Sequence, residues 1–103
     1  MALAPAADFT ELIYLAEGLS DLNRLKIVLH LAGGPMSVKQ LVAALGSYQS
    51  ATSNNLARLL LRGVVTRQRL GHAMVYSLAP TIAVGGKALV FTVGSLTVTL
   101  TRP

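Results

Sequence analysis

The sequence has no cysteine among its 103 residues. Disulfide bonds and thiolate metal sites are therefore both excluded. A domain this small often depends on disulfides, a metal or a partner subunit for additional stability. We therefore expect a partner subunit, and the absence of cysteine is compatible with a cytoplasmic location.

Targeting and membrane-spanning features are also scarce. The opening segment MALAPAADF has neither a basic n-region nor a long apolar run, which makes it a poor signal peptide. The most apolar stretch, 88–100, is interrupted by threonines and a Gly-Ser pair, and it falls short of the roughly 18 residues of a membrane span. We expect no membrane association.

Acidic residues are few and lie at one end of the chain. All four (Asp8, Glu11, Glu17 and Asp21) precede residue 22, and all nine Lys and Arg residues follow it. A basic surface without acidic residues is typical of a polyanion-binding protein, although a solvated face that only maintains solubility is the alternative. Two distant histidines and the lack of a glycine-rich phosphate loop give no catalytic constellation, so we expect neither an enzyme nor a cofactor.

Helical patterns occupy the first 62 residues. The first predicted helix begins at a capping-box-like pair, Asp8 and Glu11, and the third begins at a similar pair, Ser37 and Gln40. Glycines or a Gly-Gly-Pro sequence mark the ends. The four predicted helices cover about 8–19, 21–32, 37–45 and 49–62.

Strand-like patterns follow from residue 64 onwards. The runs 64–69 and 74–78 predict a β-hairpin with a basic tip, and Pro80 marks a boundary. Beyond it, Gly85-Gly86 and Gly94-Ser95 separate three β-rich runs, and Gly94-Ser95 suits a type II′ turn. We therefore predict two parts, a domain at 1–79 and a C-terminal β-hairpin extension at 80–103.

Two short helices joined by a glycine-containing turn and followed by a basic hairpin predict a winged helix-turn-helix. The second helix of this motif fits the DNA major groove, which is about 12 Å wide, and the hairpin reaches the neighbouring backbone. Side chains at the start of that helix are candidates for base contacts: Gln49, Ser50, Thr52, Ser53, Asn54 and Asn55. Basic residues are candidates for phosphate contacts: Arg58, Arg62, Arg67, Arg69 and, more weakly, Lys39. A solvent-facing helix of another small α+β domain is the alternative.

An ordered series of motifs resembles the ArsR/SmtB family of regulators over about residues 9–79. The segment beginning at Leu19, LSDLNRLKI, resembles that family's L-S-D-P-T-R-L-R-I, with Leu22 where proline is usual. The segment QSATSNNL from Gln49 resembles its L-S-Q-S-T-V-S-H-H-L, and GHAMVYSL from Gly71 resembles its wing sequence G-R-x-V-Y-Y-x-L.

The resemblance implies a dimeric, DNA-binding transcription regulator, often a repressor released by a metal or another inducer. By position, Gln49, Ser50, Ser53 and Asn54 match the family's base-contacting residues. Arg67, Arg69 and His72 match its wing.

The sequence departs from that family in three places. Ser37-Val38-Lys39 stands where the family has its C-V-C metal ligands, and only His30 and His72 remain as other candidates, so we expect no metal site. The usual last helix is replaced by strands after Pro80, so part of the dimer surface must be new. Leu60-Leu61 stands where a polar pair is usual, and we expect the C-terminal hairpins, rather than a partner chain, to cover it.

The predicted fold is thus α+β, a winged helix-turn-helix with about four helices, a hairpin wing and extra C-terminal strands in place of the last helix. The preferred hypothesis is a homodimeric repressor that binds a specific double-stranded DNA sequence. The alternative is a protein-interaction module that docks a partner through the C-terminal hairpin. The apolar face of that hairpin (Leu96, Val98 and Leu100) can cover the core, pair with another subunit or accept a partner strand.

Overall fold

The computed structural model of the protein describes residues 4–102. Met1–Leu3, where the segment considered as a signal peptide begins, and Pro103 lie outside the described residues. Within 4–102, no helix combines the length and the apolar character needed to cross a bilayer. The elements in chain order are α1 (Ala6–Leu19), α2 (Leu22–Leu31), β1 (Met36–Ser37), α3 (Val38–Leu45), α4 (Gln49–Leu61), β2 (Val65–Leu70), β3 (Ala73–Leu78), β4 (Ala83–Gly85), β5 (Ala88–Val93) and β6 (Leu96–Thr101).

The element order confirms the predicted α+β fold, with four helices, a hairpin and additional C-terminal strands. Local capping sets two of the helix starts. The Asp21 carboxylate accepts hydrogen bonds from the backbone N–H groups of Asn23 and Arg24, at 2.9 and 3.1 Å, and so begins α2. Ser37 and Gln40 form the predicted capping box, each side chain accepting from the other residue's backbone N–H, and so begin α3.

The start of α1 differs from the prediction. The helix begins at Ala6 with Pro5 as its N-cap residue, so the predicted capping box at Asp8 is wrong. Instead, Asp8 Oδ2 accepts hydrogen bonds from the Ser95 hydroxyl at 2.6 Å and from the Ser95 backbone N–H at 2.9 Å. These two hydrogen bonds lower the pKa of Asp8, the hydroxyl contributing most. They also connect the first turn of α1 to the last hairpin.

The strands form two antiparallel sheets of three strands. In the first sheet β3 lies between β1 and β2, and β2 and β3 form the predicted hairpin with Gly71 at a φ of +61° in its turn. The second sheet has the order β4-β5-β6. Gly94 has a φ of +57° at the first central position between β5 and β6, and Ser95 has a negative φ, which agrees with the predicted type II′ turn.

One buried cluster joins the helices to both sheets. Helices α2, α3 and α4 contribute Ile27, Leu41 and Leu56, while β5 contributes Leu89 and Phe91. The cluster members are Ile27, Val28, Leu31, Leu41, Leu56, Leu59, Val64, Val65, Tyr76, Leu89 and Phe91. The second sheet thus takes part in the same core as the winged helix.

The apolar face of the last hairpin points towards this core. Leu96, Val98 and Leu100 are half-buried and alternate with exposed threonines, and Val98 and Leu100 pack on the buried cluster. Of the three arrangements considered for the hairpin, the structure shows packing on the core. This face is therefore occupied within the chain, and the structure gives no support for a partner docked on it.

The leucine pair at the end of α4 is divided between core and surface. Leu60 is half-buried and packs on the buried cluster. Leu61 is 72% exposed, so the prediction that the C-terminal hairpins cover it is wrong. Its position lies outside the buried row of α4, which runs through Thr52, Leu56 and Leu59 at helical spacing.

Candidate nucleic-acid interface

The turn between α3 and α4 is fixed by short-range hydrogen bonds. Gly46 ends α3 in the left-handed conformation, with its N–H bound to the Val42 carbonyl. The hydroxyls of Ser47 and Thr52 lie 2.6 Å apart and hydrogen-bond across the turn. Thr52 is only 2% exposed, so it lies in the interior rather than at a surface open to DNA. The structure thus replaces the predicted DNA contact at Thr52 with a role in positioning α4.

The outer face of α4 is polar and free of acidic residues. Gln49, Ser50, Ser53 and Asn54 are exposed in the first two turns, and Arg58 is exposed one turn later. Their spacing places them together on one side of the helix, opposite the buried row that begins at Thr52. This face offers amide, hydroxyl and guanidinium groups to a ligand.

Asn55 faces inward. It is half-buried, and its side-chain oxygen accepts a hydrogen bond from the Arg24 guanidinium at 3.4 Å. Arg24 also donates to the backbone carbonyls of Gly18, at 2.7 Å, and Glu17, at 3.3 Å. Arg24 therefore links α2, the end of α1 and α4. The predicted base contact at Asn55 is replaced by this internal hydrogen bond.

The hairpin of β2 and β3, which we call the wing, carries exposed cations. Arg67 and Arg69 are two residues apart on β2, so their side chains leave the same face of the strand. Their paired neighbours on β3 are Tyr76 and Met74. His72 is exposed in the turn. Within residues 4–102, neither arginine lies within 4.0 Å of a carboxylate oxygen. The wing therefore presents a positive surface that no internal ion pair neutralises.

Arg62 follows α4 and points towards α1 instead of outward. Its Nη1 donates to the Tyr14 carbonyl at 2.7 Å and forms an ion pair with Glu17 Oε2 at 2.8 Å. The guanidinium carbon lies 4.2 Å from the centre of the Tyr14 ring. The predicted phosphate contact at Arg62 does not fit this geometry, because the side chain is committed to α1.

Two further exposed side chains border the helix-turn-helix. Lys39, predicted as a weaker phosphate contact, is exposed in the first turn of α3. Tyr48 is 83% exposed and is the N-cap residue of α4, directly before Gln49. The prediction from sequence omitted Tyr48. The signal available in the sequence for this contact was an aromatic residue directly before a polar helix start. Its hydroxyl is a group that commonly contacts phosphate.

The described residues do not fit a metal site. No group of three or more His, Cys, Asp or Glu side chains within 4–102 is placed to hold an ion. At the position resembling C-V-C, the Ser37 hydroxyl accepts from the Gln40 backbone N–H, and Lys39 brings a positive charge. A hydroxyl engaged in helix capping beside a cation is a poor ligand set for a divalent metal.

Similarity to known proteins agrees with this architecture. Residues 21–67 match the family model described as bacterial regulatory protein, arsR family. The chain is 40% identical over 65 residues to the HTH-type transcriptional regulator NmtR of Mycobacterium tuberculosis, a match that covers 63% of this chain and 54% of NmtR. The chain thus spans about half the length of this relative.

Solved structures show the same fold. The homodimeric winged helix-turn-helix DNA-binding domain of Mb0332 from Mycobacterium bovis, a possible ArsR-family transcriptional regulator, superimposes with a TM-score of 0.67 at 27% identity, covering 77% of this chain and 76% of that one. The transcriptional repressor BigR from Xylella fastidiosa gives a TM-score of 0.65 at 31% identity, covering 68% of this chain and 71% of that one. With its helix-turn-helix, its wing and these similarities, the chain belongs to the ArsR family of bacterial regulatory proteins.

Proposed function

We propose that the protein is a homodimeric transcription repressor that binds a specific duplex DNA sequence through α4 and the wing. The observation that carries this proposal is the exposed polar face of α4 beside the unneutralised wing arginines, Arg67 and Arg69. No acidic residue occurs after Asp21 to repel a phosphate backbone. The packing of β2 against α4 supports the proposal, because it makes the wing a direct neighbour of that helix.

Sequence preference would come from the first two turns of α4. The amides of Gln49 and Asn54 each have a donor and an acceptor, which matches the major-groove edge of adenine. The hydroxyls of Ser50 and Ser53 suit either a base or a phosphate oxygen. All four side chains are exposed, so binding need not break an internal contact.

Affinity that does not depend on sequence would come from the surrounding groups. Arg58, Arg67 and Arg69 are exposed cations, and His72 and Lys39 add positive or donor groups at the edges. The Tyr48 hydroxyl lies at the N-terminal end of α4, where the helix dipole also favours an anion. These contacts would fix the position of α4 on the duplex without specifying bases.

The homodimer would form through α1. Its outer surface exposes Phe9, Ile13 and Tyr14, and Leu61 at the end of α4 is exposed as well. Exposed apolar side chains on one helix are a common mark of a protein interface. The homodimeric domain of Mb0332 supports the assembly, and the repressor BigR supports the direction of regulation. Two copies of α4 would then enter successive major grooves, about 34–36 Å apart.

The test is selection of duplexes from a random-sequence library by the purified protein, followed by fluorescence anisotropy of the enriched duplexes. Enrichment of a two-fold motif, with affinity that falls steeply as salt rises, is the expected result. Absence of binding even at low salt would contradict the proposal. Asn23→Ala, an exposed asparagine on α2, is the matched control for substitutions on α4.

The homodimer has its own test in sedimentation equilibrium. Ile13 is 59% exposed on α1, so Ile13→Glu would place a charge in the dimer interface and give a monomer. Leu22→Glu changes an exposed leucine on α2 and should leave the dimer intact. A wild-type protein that is monomeric at micromolar concentration, or equal behaviour of the two variants, would count against the α1 interface.

A further inference from the structure

Four residues connect the end of α4 to the C-terminal half of α1. We call this set the α1–α4 clamp, and its members are Tyr14, Glu17, Gly18 and Arg62. We propose that the clamp, with Arg62 as its positioning residue, fixes the angle between α4 and α1 and thereby sets the spacing of DNA half-sites that the dimer accepts. This inference rests on the proposed function, since it assumes that α1 pairs two subunits and α4 contacts bases.

Hydrogen bonds are donated in both directions across the clamp, so they restrain rotation of α4 relative to α1. Arg62 donates to the Tyr14 carbonyl and to Glu17, and its guanidinium lies over the Tyr14 ring. In return, the Tyr14 hydroxyl donates to the Leu61 carbonyl at 3.1 Å. The Arg62 backbone N–H is itself bound to the Arg58 carbonyl at 3.2 Å, so the side chain is anchored to the helix that it holds. Groups on both helices therefore restrain the same crossing point.

Gly18 provides the room for this contact. Gly18 is buried within α1, and a Cβ atom there would lie 2.9 Å from Cγ and 3.2 Å from Cβ of Arg62. Distances this short between carbon atoms would force the arginine stem away. A glycine inside a helix lowers helix stability by about 1 kcal/mol relative to alanine, so its presence here is explained by the close approach of Arg62.

A small change in the helix angle at the clamp produces a larger displacement at the other end of α4. The clamp holds the C-terminal end of α4, whereas Gln49 is the first residue of the helix and Asn54 lies in its second turn. A helix of 13 residues is about 20 Å long, so a tilt of about 10° at the clamp moves the other end by about 3.4 Å. That displacement equals the rise of about one base pair along a strand. In the dimer it would change the distance between the two copies of α4.

The alternative role for Arg62 is the phosphate contact expected from sequence. The salt dependence of binding separates the two roles, because losing a phosphate contact reduces the log–log slope by about 0.9. A positioning residue acts through geometry and leaves that slope unchanged. The lysine substitution keeps the positive charge but lacks the planar fork that serves two acceptors and stacks on a ring.

The experiment measures spacing preference in the intact protein. The selected two-fold duplex is compared with duplexes in which the half-sites are one base pair closer or farther apart. For the wild type we expect one favoured spacing, with roughly ten-fold weaker binding to its neighbours. Arg62→Lys and Gly18→Ala should flatten or shift this profile while the salt slope stays the same. Arg58→Ala, the matched control on the exposed face, should lower affinity equally at all spacings and reduce the slope.

The outcomes separate the clamp from the function on which it rests. Loss of folded protein would lower affinity equally at every spacing, so a changed profile reports geometry. Tyr14→Phe removes only the hydroxyl bond to α4 and serves as a milder variant if the others unfold. A wild-type profile in the folded variants, or a slope that falls in Arg62→Gln but not in Arg62→Lys, would overturn the clamp and leave DNA binding in place. A wild-type protein that binds no two-fold duplex would overturn the proposed function and the clamp with it.

Discussion

Removing the two wing arginines gives the most direct test of the proposed contact with DNA. Arg67 and Arg69 are exposed on the same face of β2, and neither pairs with a carboxylate within residues 4–102. The double substitution Arg67→Ala/Arg69→Ala should therefore leave the fold intact and remove two positive charges from the wing. A change in DNA binding would then report the contact itself.

The size of the effect follows from counterion release. Each phosphate contact contributes about −0.9 to the slope of log affinity against log salt concentration, so two contacts contribute about −1.8. Between 50 and 200 mM salt, the wild type should lose about twelve-fold more affinity than the double variant. The preferred sequence should not change, because phosphate contacts carry no base information.

The assay is fluorescence anisotropy of one selected duplex across a salt series. Lys87→Ala/Arg102→Ala is the matched control, because it removes the same charge from exposed positions in the β4–β5 turn and directly after β6. The control should retain the wild-type slope. Equal slopes for the wild type and the wing variant, or an equal reduction in the control, would refute the assignment of these arginines to the phosphate backbone.

Three further predictions concern the helix face and the link between α1 and the last hairpin. Asn54→Ala should relax preference at one base pair, at a cost of about 1–3 kcal/mol, and repeating the duplex selection measures this change. Hydrogen bonds from Ser95 lower the pKa of Asp8 below its ordinary value of 3.8, so they stabilise the fold fully above pH 3.8. This stabilisation is lost as the pH falls through the lowered pKa, and the difference in Tm between wild type and Asp8→Asn should shrink in that range. Gly94→Ala should reduce stability by more than Gly86→Ala in thermal unfolding, since both glycines have a φ near +57° but only a Cβ at Gly94 would overlap Asp8.

The sequence predicted those elements whose determinants lie close together in the chain. The Asp21 cap, the capping box of Ser37 and Gln40 and the turn at Gly94 each depend on residues at most three positions apart. The role of Asp8 was mispredicted because its hydrogen-bond donor, Ser95, lies 87 residues away. A pattern that spans four residues cannot distinguish a helix cap from a long-range contact of the same carboxylate.

The same limit applies inside the candidate interface. Residues 49–55 are polar apart from one alanine and span almost two helical turns, so their side chains point in every direction around α4. The apolar positions Leu56 and Leu59 define a buried stripe, and Thr52 continues it one turn earlier. This spacing was a sign in the sequence of the interior position of Thr52, for which a base contact was instead predicted. The inward positions of Asn55 and Arg62 depend on Arg24 and Gly18, whose proximity only the tertiary structure reveals.

The distribution of the acids explains why the formal charge of +5 understates the positive potential at α4 and the wing. Asp21 is used at the start of α2, Asp8 binds a serine and Glu17 pairs with Arg62. Of the basic residues after position 22, only Arg62 is therefore neutralised by an ion pair within 4–102. Because a single-sign surface attracts an approaching polyanion most strongly at low ionic strength, α4 and the wing should accelerate association as well as hold the duplex. Three of the four acids thus make internal contacts of the fold, and none pairs with the wing arginines within residues 4–102.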